Sequence, residues 1–159
     1  MRHWLMGLGL ALAVAAPAFA NDSSYGGYNA PETKAMAGDQ MGKVRAAIGA
    51  KDWPGAIAIL YQLSQSDPQN ADVQNLLGFS YRMLGQYPQS FAYYDKALAL
   101  DPKHKGALEY EGEAYLETNQ LPKAETNLSQ LKAACPGGCE EIAMLQTAID
   151  RYKAKAKTN

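Results

Sequence analysis

In the middle of the chain, apolar side chains return every three or four positions. Leu77, Tyr81 and Leu84 share one face. After an interruption at Leu84-Gly85-Gln86-Tyr87-Pro88, a second face follows at Phe91, Tyr94 and Leu98, with the small Ala97 beside it. Offsets of three and four mark one side of an α-helix. Glycine can end the first helix in a left-handed turn, and proline can open the next because helix starts leave N–H groups unpaired anyway. The pattern therefore predicts a helical hairpin, in which the small Gly78 and Ala97 let the two backbones approach closely.

The hairpin recurs. Pro68, Pro102 and Pro136 stand 34 residues apart, and further columns hold the same period. Asp52-Trp53, Gln86-Tyr87 and Gln120-Leu121 each run directly into Pro54, Pro88 and Pro122. Ala56, Ser90 and Ala124 form a column of small residues, and Leu60, Tyr94 and Leu128 a large apolar one. The register divides the chain into hairpins over 37–70, 71–104 and 105–138, with Asp67 and Asp101 able to cap the turns before their prolines. One hairpin cannot bury its own apolar face, so such units stack and the last needs a cover. Residues 139–157 provide it: Ile142, Leu145, Ala148, Ile149 and Tyr152 share a helical face. Glu140 and Glu141 near its start and Lys153, Lys155 and Lys157 near its end suit the helix dipole. The fold predicted is all-α, a solenoid of three hairpins and a C-terminal capping helix.

Within LLGFSYRMLGQYPQSFAYYDKALALDP, the residues Leu77-Gly78, Tyr81, Gly85, Tyr87, Tyr94, Ala97 and Asp101-Pro102 closely resemble the tetratricopeptide repeat. The unit before departs from that pattern with Val44 in the column of Gly78. The unit after has Glu111 in the column of Leu77 but keeps Gly112, Tyr115, Ala124 and Pro136. The resemblance implies a right-handed superhelix in which the first helix of each hairpin lines a concave groove. It assigns to that lining Met41, Arg45 and Gly49, then Asn75, Phe79 and Met83, then Glu109, Glu113 and Glu117, with Tyr110 adding apolar surface and Arg82 and Arg45 as counter-charges. It also implies a non-enzymatic interaction module that takes a peptide of another protein. Glu109, Glu113 and Glu117 repeat every four residues, a like-charge spacing that costs a few tenths of a kcal/mol in an isolated helix. A basic partner would relieve it; a solvated acidic stripe is the plainer reading.

The N-terminus changes the setting. Met1-Arg2-His3, an apolar run from Trp4 to Ala16 and the small-x-small Ala18-Phe19-Ala20 form a secretory leader, residues 1–20, cleaved after Ala20. The run is shorter than the ~20 residues of a membrane span, so the mature form is expected to have none and to be periplasmic or secreted. Residues 21–36 are small, polar and Gly-rich at their start and read as a flexible linker, in which Tyr25 and Tyr28 are spaced stickers or a docking motif. The whole chain has 15 basic and 16 acidic residues, which argues against bulk nucleic-acid binding. No phosphate loop and no Ser-His-acid set is present, and no cofactor is expected.

Cys135 and Cys139 are the only cysteines. Cys135 occupies the column of Asp67 and Asp101, and Cys139 opens the capping helix, so the pair flanks the turn between the last repeat and its cap. In an oxidising compartment a disulfide is favoured. Structural zinc usually needs four ligands, and beyond the leader the chain adds only His104 to the two cysteines. A thiol-redox or metal-handling accessory remains the alternative function, and self-association through exposed repeat ends a third.

Overall fold

The computed structural model describes residues 30–157, and side chains from residue 38. The expected leader and most of the expected linker lie outside the described residues. Among the described residues there are seven helices and no strand: α1 (Ala30–Gly49), α2 (Trp53–Ser66), α3 (Ala71–Met83), α4 (Tyr87–Leu100), α5 (Lys105–Glu117), α6 (Leu121–Ala134) and α7 (Glu140–Ala156). One boundary moves. The linker was expected to reach residue 36, but α1 already begins at Ala30, with Pro31 in its first turn where a missing N–H costs nothing.

The repeat is written in the backbone as well as in the side chains. Gly85 ends its helix with φ +71°, and the residues 34 positions before and after it, Lys51 and Asn119, take φ +58° and +60°. Only one of the three hairpin turns therefore uses glycine, and Lys51 accepts a conformation that side chains disfavour. Pro54, Pro88 and Pro122 each sit in the first turn of α2, α4 and α6. Helix starts are capped locally: Asp52 Oδ1 accepts from Gly55 N at 3.0 Å, Asn70 Oδ1 from Val73 N at 3.2 Å, and His104 Nδ1 from Ala107 N at 3.1 Å. With Nδ1 accepting, His104 Nε2 carries the hydrogen and donates to Asp72 Oδ1 at 2.9 Å, tying the starts of α3 and α5 together. Asp101 closes its turn by accepting from Lys103 N at 2.9 Å.

The helices form two layers. α3 packs on α5 and α5 on α7, while α2, α4 and α6 reach their neighbours through that inner row. Closer approach of α3, α5 and α7 than of the outer helices makes their side the concave one. Two apolar clusters run along the stack. Val44, Leu60, Val73 and Leu77 centre one between α1, α2 and α3. Leu108, Leu131, Leu145 and Ile149 centre the other between α5, α6 and α7, with Ile142, Ala148 and Tyr152 of the cap packed against it. Gly78 is where the middle hairpin closes, since a Cβ there would lie 2.5 Å from the buried Tyr94 ring. Cys135 ends α6, Cys139 opens α7, and a disulfide joins them across a Cα separation of 6.0 Å. The cap is thereby tied to the last repeat at the point where it begins.

Candidate functional site

The inner row presents an aromatic and charged cluster. On α3, Phe79 meets Tyr110 of α5 with ring centroids 4.8 Å apart, and Trp53 at the start of α2 approaches Phe79 edge-on at 5.7 Å. The Arg82 guanidinium lies 5.6 Å from the Phe79 ring and 5.9 Å from that of Tyr110. Its Nη1 donates to Glu113 Oε2 at 2.7 Å and to Glu117 Oε1 at 2.9 Å. Burial opposes the Arg82 charge most strongly, yet Glu113, Tyr94 and Glu117 together outweigh it and raise the guanidinium above its ordinary value. Arg82 is thus a fixed cation bridging α3 and α5 rather than a mobile surface charge. Met83 remains 44 % exposed beside it.

Phe79, Arg82, Tyr110, Glu113 and Glu117, all expected in the groove, come together there. Others of the expected lining do not. Met41 packs into the apolar cluster between α1, α2 and α3, because its helix face is the one that closes the first hairpin. Arg45 is exposed on α1 and Gly49 ends that helix. Asn75 and Glu109 occupy the same column on α3 and α5 but are buried, 5 % and 2 % exposed, so they form floor rather than wall. The reason is the tight inner row: Gly106 leaves room for the Asn75 amide, which a Cβ there would meet at 3.1 Å, and α7 packs across α5. Burial, and then Glu113, pushes the Glu109 carboxyl up to about 7. The acidic stripe is accordingly split: two of its members share the single charge of Arg82 from within the chain, and the third is buried.

The lining that the resemblance implies ends at α5. Extending its columns by one more period from Glu109, Glu113 and Glu117 reaches Ala143, Thr147 and Arg151 on α7, and a cleft of about 420 Å³ does lie between α5 and α7, bordered by those three residues and Glu113. Helix α7 is both the cap and the last member of the inner row. Met144, 43 % exposed, faces the same cleft. Trp53, whose column in the sequence signals only a helix start, also adds its ring to the aromatic cluster. Glu111, the departure in the column of Leu77, is 4 % exposed and is held by Asn127 Nδ2 at 2.8 Å and the Tyr115 hydroxyl at 3.3 Å. Asn127 also donates to the Leu108 carbonyl at 3.0 Å. Burial drives the Glu111 carboxyl upward, against the hydrogen bond from Asn127. No described helix is long and apolar enough to cross a membrane.

Comparison with known proteins agrees with this architecture. Two tetratricopeptide repeat profiles match, one over residues 41–104 and one over 81–149. The uncharacterized protein ycf37 of Guillardia theta is 38 % identical over 55 residues, 35 % of this chain and 31 % of that protein, so the chain matches about a third of the length of that curated relative. Among solved structures, PcrH in complex with the chaperone binding region of PopD aligns over 79 % of this chain and 96 % of its own, with TM-score 0.66 and 20 % identity. The TPR2B domain of yeast Sti1 in its pHsp70 complex aligns over 77 % of this chain and 96 % of its own, with TM-score 0.64 and 18 % identity. The first TPR domain of human RPAP3 aligns over 76 % and 94 %, with TM-score 0.65 and 18 % identity. At such identities the likeness is one of fold. The 34-residue period, the paired helices and the two matching profiles together make this chain, over residues 41–149, a member of the tetratricopeptide repeat family.

Proposed function

We propose that this chain is an exported, non-enzymatic interaction module that holds a peptide segment of another envelope protein on its concave face. The carrying observation is the preorganised cluster of Phe79, Tyr110 and exposed Met83 around an Arg82 already fixed by Glu113 and Glu117. Aromatic and methionine surface gives a ligand apolar anchors, and a charge held in place beforehand costs no ordering on binding. The leader over residues 1–20 and the Cys135–Cys139 disulfide support export, since disulfides persist in oxidising compartments. PcrH with the chaperone binding region of PopD, and the Sti1 domain with pHsp70, support the use of this fold for capture of a segment of another protein. The thiol or metal reading gains nothing from the site, because two sulfurs bonded to each other and joining helix ends serve first as a tether.

The test is site-specific photo-crosslinking in cells that export the protein, with the photoreactive residue placed at Met83 on the concave side or at Lys96 on the outer helix α4. Discrete protein adducts from position 83 and none from position 96 are the expected outcome. Adducts from position 96 alone would overturn the groove assignment.

A further inference from the structure

We propose that the groove between the outer helices α2 and α4 binds a small aromatic carboxylate, its anion against Lys96 and Gln74 and its ring on Tyr61. The site is separate from the concave cluster and does not depend on the peptide-binding reading. The groove encloses about 540 Å³, within the ~300–1,000 Å³ of small-molecule sites. Its lining departs from that of the next seam. One period on from Ser64 and Gln74 stand Leu98 and Leu108, and both pack in the apolar cluster of the third repeat. Gln74 is only 5 % exposed, lines the groove and makes no side-chain hydrogen bond among the described residues. A nearly buried amide without a partner weakens a fold and calls for an explanation. The leucine in the same column of the third repeat shows that the repeat itself has no need of one.

The chemistry of the occupant follows from the charges and donors around it. No Asp or Glu lines the groove, and its one full charge is Lys96. That ammonium forms no ion pair among the described residues. It lies 4.7 Å from the centroid of the Tyr93 ring, which is itself stacked on Tyr81. Burial, and then Tyr81 and Tyr61, raises the Tyr93 hydroxyl above its ordinary value, so it stays protonated and able to donate. An unpaired ammonium, an unbonded amide and a phenol hydroxyl together suit an anion rich in acceptors. A carboxylate meets the single cation with a single charge, whereas a phosphate would bring more charge than the groove returns. Tyr61, 53 % exposed, with Pro68 and Leu100 also in the lining, gives the rest of the ligand an apolar bed. A flat ring there gains offset stacking beyond the area it buries.

The probes are phenylacetate, its uncharged amide phenylacetamide, acetate and octanoate, each titrated into the disulfide-intact chain while backbone amide shifts are followed by NMR. Phenylacetate is expected to shift amides within 61–68 and 93–100, and the other three to bind more weakly. Lys96→Gln should weaken phenylacetate roughly two- to fivefold and leave phenylacetamide unchanged. Gln74→Leu, which installs the residue of the next repeat, should weaken phenylacetate about threefold or more and raise the thermal midpoint of the chain. Equal binding of phenylacetamide or acetate overturns the inference, as does octanoate binding as tightly as phenylacetate. So does unchanged affinity in both Lys96→Gln and Gln74→Leu, or a Gln74→Leu chain less stable than the native one, since the amide would then serve the fold. Shifts of the same amides with protein concentration alone would give the groove to a second copy, and protein adducts from position 96 would give it to a protein partner; either result overturns the assignment to a small carboxylate.

Discussion

The second and third repeats share a backbone and differ in how they fill it. In the second, Leu77 is fully buried and the hollow above Gly78 is filled from within the same hairpin by Tyr94. In the third, the column of Leu77 holds Glu111, tied down by Asn127 and Tyr115, and the column of Tyr94 holds the smaller Leu128. The hollow above Gly112 is then filled from outside the hairpin: a Cβ on Gly112 would lie 2.7 Å from Leu145 of α7. The second repeat completes its own core, and the third is completed by the cap. A repeat can therefore give up its large core residue and take a buried carboxylate, provided a neighbour returns the lost packing and an amide satisfies the charge.

The largest effects should come from the two fillers. Tyr94→Ala is expected to lower stability by about 3–5 kcal/mol and Leu145→Ala by about 2–5 kcal/mol in urea unfolding. If Leu145 does for Gly112 what Tyr94 does for Gly78, then Gly112→Ala should cost about 1–3 kcal/mol alone and much less once Leu145 is already Ala. Additive losses would break the parallel. Asn127→Ala removes the shorter of the two hydrogen bonds to Glu111 and should cost about 1–3 kcal/mol, whereas Glu111→Leu combined with Asn127→Leu should restore part of it, since the carboxyl and the amide that served it leave together. A smaller difference is expected from pH. Glu109 takes up its proton more readily in the fold, near 7, than in the unfolded chain, so its stabilising contribution is complete in acid and is lost as pH rises from about 4.5 to 7. Thermal melts of Glu109→Gln should decline less over that window than those of the native chain, by on the order of 1 kcal/mol. The smallest effect sharpens the turn column: Lys51→Gly should stabilise by about 0.5–1 kcal/mol, because only glycine takes that left-handed turn without strain.

Much of this architecture could be read from the residues, and the parts that could not have physical causes. The prolines at 68, 102 and 136 mark where helices end, those at 54, 88 and 122 where they begin, and the apolar columns which faces they bury, because those features are local and periodic. The capping helix was equally open to reading, since Ile142, Leu145 and Ile149 share one face. The left-handed turns at Lys51 and Asn119 were hidden because neither is glycine and only the period reveals them. The pairing of Arg82 with Glu113 and Glu117 depends on how far α3 slides along α5, which no single-helix pattern encodes. Glu109 looked like groove wall because its column is right, but burial depends on α7 lying across α5. Glu111 stood out as a departure, and its partner Asn127 could not be chosen from several nearby polar residues without the packed hairpin.

Native-state hydrogen exchange on Leu145→Ala beside the native chain addresses most directly whether the third repeat depends on its cap. Amides of α5 and α6 should lose protection along with those of α7, while α3 and α4 keep theirs. Protection lost only in α7, or lost equally from α3 through α7, would mean that the third repeat closes its own core or that the stack opens as a single unit.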